Sequence, residues 1–328
     1  MTSRRRIPKL AFVLYVVVVA ASLGVAAGTS SIAFDAYNTE WDGSSSLRAV
    51  ASDSDIRALT ITEPAQYDRV EPVGAVAFVG APSDPSPEQL AALQLFVRAG
   101  GTLVVADDYG TGGNAVLEGV GADARFDGRV LRDERLYYRD PALPIARNVT
   151  QHNFTTGVEA LTLNYGTAIY ADSATALDEN GTPVAAANGT VELPGSLTPL
   201  VRASTFSYLD TNGDGEPDPR EPMAAHPVVT VEPVGNGRVV AVSDPSMFIN
   251  AMLDRPGNRA FASALIEQHD RVIIDQTGST GTPALAVVEQ VVRTDQRVQV
   301  IVGVGVALAV GFLAAPRRER RHPDSDSS

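Results

Sequence analysis

The chain contains no cysteine. That excludes a disulfide framework, thiolate metal sites and a cysteine nucleophile together. It has four histidines, His152, His226, His269 and His322, and none stands at metal-ligand spacing from a second ligand. No G-x-S-x-G pentapeptide occurs, so a serine nucleophile elbow is excluded. Gly110-Thr111-Gly112-Gly113 fits neither the dinucleotide fingerprint nor the P-loop. Positive charge is scarce: 26 Lys+Arg face 39 Asp+Glu, and Lys9 is the single lysine. Such a surface repels nucleic acid, and no nucleic-acid partner is expected.

Two long uncharged apolar runs are present, at residues 10–28 and 298–315. Each would span roughly 27–28 Å as a helix, close to one hydrocarbon core. Arg4, Arg5, Arg6 and Lys9 precede the first; Arg317, Arg318, Arg320 and Arg321 follow the second. The positive-inside rule then predicts cytoplasmic tails at 1–9 and 316–328, two transmembrane helices, and an extracytoplasmic domain over 29–297 in the cell membrane. A cleaved signal peptide is the other reading of the first run. The tails carry eight of the basic and three of the acidic groups, which leaves 18 basic and 36 acidic groups for 29–297. An acidic, lysine-poor composition of this kind suits a halophile. Asn148, Asn153, Asn180 and Asn188 each open an N-x-[ST] sequon, consistent with glycosylation outside the cell; Asn180-Gly and Asn188-Gly also read as turns.

The chain is organised around residues 73–114. An apolar run at 75–79, a helix pattern at 88–98, a Gly100-Gly101 stop and a second apolar run at 103–106 predict strand–helix–strand. Strands apolar on both faces are expected to be parallel. Further strands are expected at 57–61, at 228–232 and 238–242 around Gly235-Asn236-Gly237, and at 271–275; further helices at 114–120 and 258–268. A β-rich excursion over 160–225 is expected from short runs separated by turn residues. Trp41 is expected to pack against the sheet edge.

Ligands gather beyond the carboxyl ends of strands in open α/β sheets. The candidate ligand-binding residues there are Asp107, Asp108, Gly112, Gly113, Asn114, Asp244 and Asn250. The aspartates could serve acid–base chemistry. The structural alternative is that they cap helix N-termini. A second candidate lies at 210–221, which fits D-x-[DN]-x-[DN]-G-x₅-E. Calcium ligands would come from Asp210, Asn212, Asp214, Glu216, Asp218 and Glu221, with Gly215 at the sharp turn. Pro217, Pro219 and Pro222 leave no exit helix, so a free-standing loop is expected rather than an EF-hand.

The segments Tyr37-Asn38, Trp41-Asp42-Gly43, 100–108 and 237–250 resemble haloarchaeal members of the family called "domain of unknown function 4350". The resemblance implies a flavodoxin-like parallel sheet of the class I glutamine-amidotransferase-like kind. It implies no activity. Its members sit beside MoxR-type ATPases and membrane proteins, which makes such proteins the expected partners. Two functions follow: a non-catalytic binding or scaffold module, or a carboxylate-based hydrolase using Asp107 or Asp108 with Asp244.

Overall fold

The computed structural model describes residues 30–172, 184–193 and 195–277. Its centre is an eight-stranded sheet. In chain order its strands are β1 (Arg57–Ile61), β2 (Ala75–Gly80), β3 (Thr102–Ala106), β7 (Asn148–Val149), β10 (Thr198–Arg202), β12 (Pro227–Val234), β13 (Gly237–Val242) and β14 (Arg271–Asp275). Across the sheet the order is β1-β14-β2-β3-β13-β12-β10-β7. The first five are mutually parallel, with β3 in register from Thr102↔Arg238 to Ala106↔Val242. β12, β10 and β7 continue the sheet with antiparallel pairing.

The central strands are hydrophobic on both faces because both faces are covered. Ala75, Val76, Ala77, Leu103, Val104 and Val105 have no exposed surface. One face carries α1 (Ser45–Asp53) and α5 (Pro256–Ile266); the other carries α2 (Pro87–Arg98) and α3 (Gly112–Val120). Along β3 the neighbours alternate: Val104 and Ala106 join the core under α5, while Leu103 and Val105 join the core under α2 and α3. α2 begins where Ser86 accepts the Gln89 amide, with Pro87 at its first position, and it stops at Gly100, whose φ is +113°.

Smaller sheets fill the stretch between β3 and β12. β4 (Ala124–Phe126) pairs with β9 (Ile169–Ala171), β5 (Val130–Asp133) with β11 (Ser207–Asp210), and β6 (Ile145–Ala146) with β8 (Leu161–Thr162). All three pairs are antiparallel.

Three expectations are corrected. The sheet is mixed, not wholly parallel. The tight turn at Gly235-Asn236 folds β12 back against β13, and an antiparallel extension follows from that hairpin. No helix among the described residues is long and apolar enough to cross a membrane. The longest, α2, has 12 residues, about 18 Å against a hydrocarbon core of about 30 Å. Flanking transmembrane helices and a two-pass membrane placement are therefore not supported; the runs 10–28 and 298–315 lie outside the described residues. Trp41 does not pack on the sheet: it is 68% exposed, because its segment is held by main-chain contacts, including Ala251 N–H to the Trp41 carbonyl.

α5 approaches the chain before β8 closely enough to require glycine. A Cβ on Gly257 would lie 1.8 Å from the Ala160 carbonyl oxygen, a backbone atom that cannot rotate away. Gly257→Ala is expected to destabilise the fold by about 1–3 kcal/mol through overpacking. Differential scanning calorimetry should show a drop of several degrees; an unchanged melting temperature would refute the close contact.

Candidate functional site

β3 and β13 are hydrogen-bonded neighbours whose exits diverge. β3 leads into α3 on one face. β13 leads through a 3₁₀ turn, Pro245–Phe248, and α4 (Asn250–Leu253) into α5 on the other. Diverging exits of adjacent parallel strands leave a crevice, and ligands occupy such switch points in open α/β sheets. Asp107 stands at one exit and Asp244 at the other. The Asp107 amide donates to the Val242 carbonyl at 3.1 Å, so the two exits are locked together.

Both carboxylates are occupied by main-chain donors. Asp107 accepts from Gly113 N–H at 2.7 Å and Asp108 N–H at 3.0 Å. Asp244 accepts from Ser246 N–H at 2.7 Å and Asn164 N–H at 2.6 Å. Asp244 begins the 3₁₀ turn beyond β13 as a capping side chain does, while Asp107 reaches forward to the Gly113 amide in the first turn of α3, which Thr111 precedes. Burial raises the pKa of both, and these amide bonds oppose the rise. For Asp244 burial dominates, the charge of Asp108 adds to it, and the value is pushed up to about 7. Asp108 is only half-buried; burial raises its pKa, its bond from the Tyr109 amide opposes this, and the Asp107 charge adds to the rise.

Glycines allow the close approaches. A Cβ on Gly112 would meet the Pro82 carbonyl oxygen at 1.7 Å, and one on Gly113 would meet the Asp107 Cβ at 2.4 Å. Both residues therefore hold the packing of α3, and their amide side faces Asp107 rather than an open ligand space. Asn114 is likewise structural: its side chain accepts from Phe126 N–H and donates to the Phe126 carbonyl, tying α3 to β4. Asn250 bonds Ser46 N–H and the carbonyls of Asn38 and Glu40, tying residues 38–46 to the end of the β13 exit. Of the seven expected residues, the structure gathers Asp107, Asp108, Gly112, Gly113 and Asp244 around the crevice and gives Asn114 and Asn250 to tethers.

The sequence reading missed the segment that closes this crevice. Residues 163–167 cross the exit of β13: Asn164 N–H reaches Asp244, Thr167 N–H reaches the Ser243 carbonyl, and a Cβ on Gly166 would lie 2.9 Å from that carbonyl. Tyr165 takes φ +56°, a conformation that costs a non-glycine residue strain. The Tyr109 hydroxyl donates to the Tyr165 carbonyl. Burial, followed by the charges of Asp108 and Asp244, raises the Tyr109 pKa. Tyr109 and Tyr165 nonetheless stand 46% and 48% exposed, beside the acids. No pattern marked them, because neither lies next to Asp244 in the chain. Two clefts open at the same end of the sheet, of about 30 Å³ and about 220 Å³. They share Phe34, Val79, Gly80, Asp275 and Gln276; Pro245 and Ala106 line the smaller, Ala81 and Gln89 the larger. Phe34, Ala81 and Asp84, also at this end, have φ of +62°, +44° and +52°.

The 210–221 loop is closed by its own amides. Asp210 accepts from Gly213 and Gly215, Asn212 from Asp214, Asp214 from Glu216, and Glu221 from Thr211. Asp210 and Glu221 are buried; Asn212, Asp214 and Asp218 are not. Asp218 bonds Arg220, and its pKa is lowered first by the Arg220 amide and then by its side chain. Among the described residues no group of three or more His, Asp or Glu side chains is gathered to hold a metal ion. The sequon residues Asn148, Asn153 and Asn188 are exposed, and Asn188 accepts from the Thr190 amide as an Asn-Gly turn would; Asn180 lies outside the described residues.

Residues 36–266 match the family described as domain of unknown function (DUF4350), and the chain belongs to that family. Among curated proteins none matches the sequence. Among solved structures, the chain is similar to the mmIFT52 N-terminal domain (TM-score 0.44, 13% identity, covering 68% of this chain and 88% of that one). It is also similar to a cytoplasmic protein of Salmonella typhimurium LT2 (0.38, 13%, 69% and 85%) and a ThuA-like protein of Bacteroides uniformis (0.36, 12%, 62% and 74%). These scores are too low to carry a functional argument.

The raised pKa of Asp244 has a sign. A carboxyl whose folded pKa lies above its unfolded value of about 3.8 loses stability as pH rises through the folded value. The window is therefore roughly pH 4 to 7, at no more than about 1.4 kcal/mol per unit. Asp107, Asp108 and Glu232 are raised by burial and act in the same direction. His226, His152 and His269 are lowered by burial and act the other way, so the readout is the effect of one substitution: denaturant melts at pH 5 and pH 8 should show Asp244→Asn gaining stability relative to the native chain on going from pH 5 to pH 8. Equal differences in both proteins would overturn the assignment.

Proposed function

We propose that this chain is a non-catalytic binding or scaffold module, and that its ligand or partner docks at the exits of β3 and β13. The observation that carries the reading is the use of the two carboxylates. Asp107 and Asp244 are each held by two main-chain amides, so they support the crevice rather than offer a base to a substrate. The groups turned outward are Asp108 and the two tyrosines, and exposed tyrosines with an apolar body and a polar tip suit a docking surface. The resemblance offers one partner to try, a MoxR-type ATPase. Binding to that partner, measured by interferometry with purified proteins, should weaken about tenfold or more with Tyr165→Ala, the cost typical of an aromatic anchor. The alternative is a hydrolase that uses Asp107 or Asp108 with Asp244. Turnover of an ester, glycoside or peptide substrate that Asp108→Asn abolishes with the melting temperature intact would replace the module reading.

A calcium role for the 210–221 loop is a second reading. Its support is the loop's internal order: Asp210 at position 1 accepts two amides, one on each oxygen, and Asn212 and Asp214 at positions 3 and 5 accept one each. The fit is partial. The carboxylates are not gathered, and the neighbouring Arg132, 3.3 Å from where a Gly215 Cβ would lie, is paired with Glu134 and Asp140 rather than with the loop. Bound calcium would supply charge neutralisation and draw Asp214 and Asp218 towards Asp210. Calcium at about a hundred times its dissociation constant should stabilise the fold by about 2.7 kcal/mol, and Asp214→Ala should remove that gain. A melting temperature indifferent to millimolar calcium would dismiss the site.

A further inference from the structure

The opposite end of the sheet carries a different chemistry. Where β12 ends and β13 begins, a cleft of about 350 Å³ is lined by His152, Ser196, Thr198, Asn236 and Arg238, among others. It lies at the amino end of the parallel strands, away from Asp244. We propose that this cleft binds a compact oxyanion, a carboxylate or phosphate group, between the Arg238 guanidinium and the His152 ring.

Charge is the first argument. Five of the sixteen described arginines lie within 4 Å of a carboxylate oxygen, as Arg125 does with Asp172 and Arg129 with Asp127. Arg238 is among the eleven that do not, and it lines the cleft. It is exposed, and no carboxylate oxygen among the described residues lies within 4 Å of it. Its guanidinium sits over the Phe154 ring at 5.7 Å from the centroid, a cation–π contact that favours this placement of the charge. Glu232 also lines the cleft, but both its oxygens accept from the Asp123 and Ala124 amides, on the other face of β12 from Val231.

The second argument is the tautomer of His152. Its Nδ1 accepts from the Phe154 amide at 3.1 Å, so in the neutral ring the proton is on Nε2. The ring is held by a capping box at residues 152–155 and by its contact with Phe154, 5.0 Å between centroids. The backbone thus presents an N–H donor that has no acceptor of its own. Burial and then the charge of Arg238 lower the His152 pKa, and Arg238 likewise lowers that of His269 beyond Phe154. Burial is the larger cause for both rings, so each is held neutral beside the Arg238 charge. The hydroxyls of Ser196 and Thr198 and the Asn236 amide complete a donor-rich wall. Arg–oxyanion bonds of this kind are among the stronger polar contacts.

The test uses the full chain and two probes, inorganic phosphate and succinate, each titrated against sodium chloride at equal ionic strength. The readout is the His152 ring resonance in a long-range nitrogen–proton NMR spectrum. A saturable shift is expected, with a dissociation constant on the order of 1 mM or tighter. Saturation by phosphate alone or by succinate alone supports the site and assigns its ligand class. Arg238→Gln should weaken binding about tenfold or more, the usual scale for a charge-assisted bond. Arg259→Gln, an exposed arginine on α5 paired with Asp53, should leave it unchanged, and so should Asp108→Asn at the far end. A response no larger than that of chloride overturns the proposal. So does an equal loss in Arg238→Gln and Arg259→Gln, which would mean a general charge effect.

Discussion

The pairing of β3 with β13 is the contact on which the rest depends. Their five-residue parallel register is buried on both faces, so each strand needs apolar side chains above and below. That requirement places α5 on one face and α3 on the other. It also forces the two exits apart. Asp107 and Asp244 then stand buried at the two strand ends, and the Asp107 amide to the Val242 carbonyl ties those ends together. Every other feature of the crevice is set against these two strand ends.

Buried carboxylates are costly without donors, and here each has them from the backbone. Asp244 draws its donors from two sides: Ser246 in its own turn, and Asn164 from the stretch between β8 and β9. The side chain therefore joins the β-rich stretch to the α/β sheet. Gly166 permits that stretch to lie on the Ser243 carbonyl, and Tyr165 accepts a left-handed backbone as part of the same fit. Strain of this kind persists only where surrounding contacts over-determine it. Four of the five non-glycine residues with positive φ among those described, Phe34, Ala81, Asp84 and Tyr165, lie at this end of the sheet, and the fifth, Asp55, precedes β1.

The two ends of the sheet are electrostatically unlike. The carboxyl end gathers acids whose pKa burial raises; the amino end presents an arginine with no carboxylate within 4 Å among the described residues, beside His152. On a chain with a net charge of −13, long-range attraction for anions is absent, so any oxyanion must be recognised by short-range geometry. Fixed donors such as the His152 Nε2–H supply this, since they need no reorganisation when the ligand arrives.

Period and punctuation made much of the fold legible. The apolar runs at 75–79 and 103–106, the helix pattern at 88–98, the Gly100-Gly101 stop and the Gly235-Asn236-Gly237 turn are local signals with local causes, and they located β2, α2, β3 and the β12–β13 hairpin. Family membership was legible in the same segments. Of the site, only the residues next to a strand end could be read: Asp107, Asp108 and Asp244. Asn114 and Asn250 were equally close in sequence, but their roles as tethers depend on Phe126 and on residues 38–46, which no spacing connects to them. Asn164 reaches Asp244 across 80 positions of chain, so nothing local could place it. The sequence by itself determined which segments are apolar on two faces and where they must stop, because that is written in nearest-neighbour chemistry. Only the tertiary structure decided that the sheet turns antiparallel beyond β13, that Trp41 faces solvent, and which carboxylates the backbone holds, because each depends on which strands lie side by side.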